Sequence, residues 1–276
     1  MNKLPETSDK LQLAQNGSVL QLTLNDPASG NALSEDLAAD LMRVLAALKN
    51  NEEIAAVVVR GAGKVFCAGG NLKGFSELYH NESSDTEILK KEIATGNWEA
   101  GRELFNGFNR LPQTVIMVVQ GAAMGGGVGL ACCNDVMITS SDCKFSTTET
   151  SLGLIPAQIA SFVIQRVGLT QARRLMLTGV RFKGTEALQL GVAHFCEDDA
   201  QGMEARLEQV LASVRRCGPK ANRMTKELLF HYMDEGLEPT LEYAANQFAE
   251  CMLGEEAKEG VTAFIEKRAP SWASAD

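Results

Sequence analysis

The 276-residue chain is poor in the residues that build metal centres, aromatic stacking platforms and basic surfaces. It has three histidines, two tryptophans, and 26 Lys and Arg against 35 Asp and Glu, a net charge of −9. His80, His194 and His231 are scattered, and none pairs with a Cys or carboxylate at metal-ligand spacing, so no metal site is expected. The acidic balance excludes a broad nucleic-acid footprint, which needs clustered cations, and disfavours docking on an anionic membrane. It still permits a single anionic ligand, which a few local donors can hold. No run approaches the ~20 apolar residues of a membrane helix, and the opening MNKLPETSDK lacks a secretion signal's apolar stretch. The seven cysteines are odd in number, irregularly spaced and without a CxxC pair, which reads as reduced thiols rather than a disulfide framework. A cytoplasmic protein that binds neither nucleic acid nor membrane is the expectation.

Several chemical signatures are missing too. There is no GxxxxGK[ST] phosphate loop and no GxSxG nucleophile turn, and the GGG at 125–127 is not a GxGxxG dinucleotide fingerprint. What is present is an ordinary globular composition, 45% hydrophobic and 22% charged, in a chain long enough to bury a large core. Residues 11–24 read as two short strands about the Asn16-Gly17 turn. Ser34 caps a helix over 35–49, in which Leu37, Leu41, Val44, Leu45 and Leu48 recur at helical spacing. Apolar runs at 55–60, 114–119 and 136–139 are buried strands, and 75–110 is expected to be helical with a mobile portion. Helical pieces follow at 157–167, 170–178 and 184–190, and from about residue 200 onward nearly everything reads as helix, punctuated by Gly218-Pro219 and Gly236. The order points to an α/β core over 1–198 that carries the site, with a helical region over 199–276 packed on it.

Two Gly/Ala-rich turns each follow a buried strand: FCAGGNL at 66–72 and GAAMGGG at 121–127. Small residues let backbone approach a ligand. An N–H at a helix start has no partner in its own helix. Two such donors converging on one oxygen would make an oxyanion hole. Glu149 follows a short strand in a segment otherwise filled with neutral Thr and Ser. Read alone it is an ordinary loop glutamate; in an apolar pocket its pKa would rise and it could exchange protons near neutral pH.

Taken together, FCAGGNL and GAAMGGGVGLACCND resemble the crotonase (enoyl-CoA hydratase/isomerase) superfamily, and so do NALS at 31–34, FSTTETSLGLIP at 145–156, ARRLMLTG, ALQLGV and the terminal FIEKRAP. The resemblance spans almost the whole chain. It implies a spiral of ββα repeats with a helical C-terminal trimerisation region, a homotrimer or a hexamer made of two trimers, and an acyl-coenzyme A substrate with no separate cofactor. It assigns the oxyanion hole to the N–H groups of Ala68 and Gly126, and proton transfer to Glu149. Gly69, Gly70, Asn71, Leu72 and Gly125 would line the substrate, while Phe264 and Lys267 would reach CoA bound mainly to a neighbouring subunit.

Departures from the family pattern bear on the reaction. Two-glutamate hydratases carry their second glutamate where this chain has Gly129. Asn71 stands where many relatives have Asp, and Ala28 where many have a base for the CoA phosphates. Gln158 and Thr150 are candidates for positioning water. Three readings follow. GGGVGL with ETSLGLIPAQIASFV and TQARRLMLTG is similar to hydratases of the methylglutaconyl-CoA and isohexenylglutaconyl-CoA type, somewhat more to the latter, which act on branched, carboxylated enoyl-CoAs. A Δ3-Δ2-enoyl-CoA isomerase needs one glutamate only. A CoA-binding scaffold or an RNA-binding member is the third, against which stand Glu149 and the acidic charge.

Overall fold

The structure, a computed structural model, describes residues 4–71 and 85–274. The chain opens as the expected hairpin, β1 (Leu11–Asn16) against β2 (Val19–Leu24), with Gly17 at φ 54° in its turn. Ser34 caps α1 (Glu35–Leu48), its side chain accepting from Leu37 N, and the helix buries Leu37, Leu41, Val44, Leu45 and Leu48. β3 (Ala56–Gly61), β4 (Thr114–Val119), β6 (Val136–Ser140) and β9 (Phe195–Glu197) then join β2 in parallel, giving a six-stranded sheet of order β1-β2-β3-β4-β6-β9. Near-continuous Val, Ile and Met in β3 and β4 fit strands covered on both faces.

A second, smaller sheet pairs β5 (Ala122–Met124), β7 (Lys144–Ser146) and β8 (Phe182–Lys183), and the Cys67–Ala123 bridge adds a rung to it. Each long strand therefore hands the chain to a short one and then to a helix. β4 and β5 lead to α4 (Gly126–Cys132), and β6 and β7 lead to α5 (Ala160–Thr178). The spiral of ββα repeats is thus realised. The short strand expected before Glu149 is β7, while β5, β8 and β9 were not anticipated, because two or three residues carry no readable period.

The described part of 75–110 holds α2 (Thr86–Glu99), a π-helical turn (Ala100–Phe105) and α3 (Asn106–Asn109); the expected mobile portion lies partly outside the described residues. Gly168, at φ 71° and ψ 164°, interrupts α5 and separates the two helical pieces read from sequence. After α6 (Gly184–Gln189), α7 (Ala200–Arg215) lays Met203, Leu207 and Leu211 on the sheet against Val58, Ile116 and Ile138. The Gly-Pro and Gly236 punctuation bounds α8 (Pro219–Glu235), followed by α9 (Leu237–Leu253) and α10 (Glu255–Ile265). These outer helices leave Leu229, Met233, Leu241, Phe248, Leu253 and Phe264 exposed. Among the described residues no helix is long and apolar enough to cross a membrane.

Candidate active site

The first glycine-rich turn is held from below by Asn31. This residue, at φ 57°, is fully buried, and its side-chain amide donates to the carbonyls of Ala62, Val65 and Phe66 at 3.0, 2.7 and 3.3 Å while its Oδ1 accepts from Asp26 N. The NALS segment is thus the clamp that sets the path of residues 61–66. Beyond it the backbone amides alternate as in a strand. Cys67 N donates to Ala122 O, Ala68 N donates to Gly30 O at 2.9 Å, and Leu33 N donates to Gly69 O. Gly70 N has no partner among the described residues. The expectation for Ala68 is corrected here: its N–H is taken by Gly30, and the free amide two residues on belongs to Gly70.

The second turn reaches the same place from β5. Gly125 (φ 51°) donates from its N–H to Ser146 O and ends the strand, so that Gly126 becomes the first residue of α4 with an N–H that has no partner among the described residues. The two turns touch through glycines. A Cβ on Gly69 (φ 92°) would lie 2.4 Å from Met124 O and 3.2 Å from Gly126 N, and one on Gly126 would lie 3.6 Å from Gly70 N. At Gly69 only a hydrogen side chain allows this approach, whereas a Cβ on Gly126 would make ordinary van der Waals contacts.

Glu149 opens a single 3-10 turn (Glu149–Leu152) after β7. The hydroxyls around it are stapled to the end of α5: Ser146 Oγ donates to Gly179 O, Thr147 Oγ1 to Leu175 O and Thr150 Oγ1 to Met176 O. These bonds satisfy carbonyls that a helix end leaves unpaired, and they fix the carboxyl. They also engage the Thr150 hydroxyl, which leaves the partly buried Gln158 as the other candidate for water. The Glu149 carboxyl lies against the second turn, since a Cβ on Gly125 would meet Oε1 at 3.0 Å. Its Oε2 is buried with no hydrogen-bond partner among the described residues. Burial pushes the Glu149 carboxyl above the ordinary carboxylate range, opposed in part by a backbone hydrogen bond.

Gly129, one turn along α4, is glycine for a different reason. A Cβ there would lie 2.0 Å from Ile159 Cγ2 and 3.3 Å from Phe105 Cε1. Ile159 and Phe105 are 2% and 1% exposed, so the place of a second carboxylate is filled with hydrocarbon. Neither residue was singled out in the sequence. Ile159 reads there as one more apolar residue, and Phe105 belongs to a weakly periodic stretch.

The other candidates are dispersed. Asn71 is exposed at the end of the first turn, and Leu72 lies outside the described residues. Phe264, 85% exposed, and Lys267, at φ 56°, sit at the end of α10, which packs on α9. A cavity of about 580 Å³ lies elsewhere, lined by Thr114, Asp135, Phe195, Arg206, Val210 and Lys226 at the starts of β4 and β6. Its partly buried Lys226 and Asp135 satisfy each other, Nζ lying 2.7 Å from Oδ2, whereas Glu149 Oε2 has no hydrogen-bond partner among the described residues. No cluster of three metal-ligating side chains occurs among the described residues. Burial pushes the Cys67 and Cys132 thiols up to about 12 and about 11, far from the thiolate a nucleophile needs.

This arrangement, two unpaired amides beside one desolvated carboxyl, suits enolate chemistry. The profile of the enoyl-CoA hydratase/isomerase family matches residues 14–275. Among solved structures, Pseudomonas aeruginosa AtuE is 45% identical, with a TM-score of 0.89 over 96% of this chain and 99% of that one. An enoyl-CoA hydratase/isomerase from Marinobacter aquaeolei is 39% identical, with a TM-score of 0.90 over 96% of this chain and 100% of that one. A probable enoyl-CoA hydratase of Bacillus subtilis is 31% identical over 95% of this chain and 98% of its own length.

Proposed function

This chain belongs to the enoyl-CoA hydratase/isomerase family, and we propose that it hydrates a branched, carboxylated enoyl-CoA of the isohexenylglutaconyl-CoA or 3-methylglutaconyl-CoA type. The observation that carries the chemistry is the partly buried Glu149 carboxyl lodged against Gly125, its Oε2 and the N–H groups of Gly70 and Gly126 all without a partner among the described residues. The two amides hold the thioester oxygen as it gains charge, each contributing about 3 kcal/mol to the transition state. Glu149 takes a proton from water as its oxygen adds to C3, then returns that proton to C2 of the enolate. Backbone donors and one carboxyl suffice for this sequence, with no cofactor beyond the substrate's own CoA. Support for the carboxylated acyl group is the resemblance of GGGVGL, ETSLGLIPAQIASFV and TQARRLMLTG to that group of hydratases; the substrate's carboxylate assists where a second glutamate is lacking.

Exposed apolar side chains on α8, α9 and α10 support a homotrimer or hexamer, in which Phe264 and Lys267 serve a neighbour's CoA. The disulfide-free cysteines fit a reducing compartment such as the cytoplasm.

Gly129, wedged against Ile159, favours a second reading, Δ3-Δ2-enoyl-CoA isomerisation, in which Glu149 moves one proton from C2 to C4. The deciding experiment offers 3-methylglutaconyl-CoA and a Δ3-enoyl-CoA in turn and weighs the products. The first thioester gaining the mass of water supports hydration. No gain of water, with the second converted to its conjugated isomer at unchanged mass, overturns it in favour of isomerisation.

A further inference from the structure

α4 presents its glycines in two environments one helical turn apart. At Gly125, the cap of the helix, the neighbours are polar, the Glu149 carboxyl and Thr148 Oγ1, and at Gly126 they are mixed, a Leu33 methyl and Gly70 N. At Gly129 they are the Ile159 branch and the Phe105 ring. Both hydrophobic residues are fixed independently of α4. Ile159 stands at the head of α5, where its N–H donates to Pro156 O and its carbonyl accepts from Val163 N. Phe105 closes the π-helical turn Ala100–Phe105 and stacks on Phe162 with ring centroids 6.1 Å apart. A π turn rotates the residues after it relative to an α-helix and recurs at functional sites.

We infer that Ile159, backed by Phe105, is the residue that restricts this site to one carboxylate: its side chain occupies the volume that any side chain at position 129 would have to enter. The inference rests on the functional reading of Glu149 and names what sets the reaction class at that site. The absent second acid is then not a loss at position 129 alone. The glycine and the isoleucine form a complementary pair, and a glutamate cannot be restored by one substitution. Ile159 acts by exclusion and is a specificity-determining residue, not a catalytic one.

The test is a cycle of Gly129→Glu, Ile159→Gly and the double variant, alongside Gly129→Ala; glycine is needed at 159 because the Ile159 Cβ itself would lie 2.5 Å from a Cβ at position 129. Melting temperature and water addition to crotonyl-CoA, a straight enoyl thioester without a second carboxylate, are measured for each. Overpacking predicts that Gly129→Ala and Gly129→Glu melt well below wild type, and that both lose most of that deficit when measured against Ile159→Gly as background. The double variant is expected to hydrate crotonyl-CoA at least tenfold faster than Ile159→Gly alone, with a second ionisation in its pH profile. A merely structural Ile159 would restore melting temperature without adding hydration, and that result overturns the inference. So does a Gly129→Glu variant as stable and as active as the double, or a double variant that fails to fold. Wild-type protein inert toward every enoyl thioester would sink the functional reading instead. The melting cycle would then still report whether the two positions are packed as a pair.

Discussion

The two glycine-rich turns deliver the same group, an unpaired amide, by opposite routes. In 66–71 isolated bridges tie Cys67 to Ala123 and Gly70 to Leu33, with Gly69 at φ 92° between them. Cys67 and Ala68 donate to Ala122 and Gly30, and Gly70 N has no partner among the described residues. In 121–127 the chain stops being a strand at Gly125 and starts a helix at Gly126, whose N–H is free because a helix's first amides have no partner behind them. A free donor is therefore set by secondary structure, not by glycine. The glycines do something else: Gly69 and Gly125 remove the Cβ atoms that would hold the turns apart or push on Glu149.

The strongest way to break this comparison is to remove what both turns face. Glu149→Gln keeps the shape of the carboxyl and deletes its proton transfer. Turnover is expected to fall at least 100-fold, since a positioned acid–base group supplies about 10²–10⁴, while folding persists. Steady-state kinetics on the accepted thioester check this, and wild-type-like turnover would remove Glu149 from the mechanism.

A smaller effect separates the two routes. Proline at the first position of a helix is tolerated, because the N–H it lacks had no helical partner. Gly126→Pro should then delete one donor of the pair with little loss of melting temperature and lower kcat/KM about 100-fold, the equivalent of about 3 kcal/mol. The first turn offers no such substitution, for its rung is built from the hydrogen bonds of its neighbours. Unchanged kinetics in Gly126→Pro would show that the helix-start amide is not a donor to substrate.

Much of this was legible in the sequence, and the part that was not has a physical cause. The three long buried strands, the hairpin, the capped first helix and the Gly-punctuated C-terminal helices follow from apolar patterning and caps over four or more residues. Glu149 and both turns were recognisable as motifs. Which amide of FCAGGNL is free was not, because that depends on Gly30, which lies near in space and far in sequence and accepts from Ala68. Asn31 could be matched but not explained, since its three carbonyl partners come from residues 62–66. Gly129 was visible as a departure, yet its cause, Ile159, lies 30 positions on and looks like any core residue.

The smallest effect concerns stability and isolates the cost of placing a carboxyl against the second turn, at Gly125. Glu149 Oε2 is buried without a partner among the described residues, and burial raises the group above its ordinary value. A carboxyl raised on folding is better tolerated protonated. Its contribution is most favourable below the unfolded pKa and is lost as pH climbs through the folded one. Glu149→Gln carries no charge at any pH, so the melting temperature of wild type relative to this variant should decline from acid to neutral pH and then level off. The pH at which that decline levels off should coincide with the lower limb of the wild-type pH–rate profile, because the same carboxylate must form before it can accept a proton. A melting difference that stays flat with pH would mean that water or a neighbour solvates Oε2 in solution. The donors of the two turns would then share the site with a bound solvent molecule that substrate must displace.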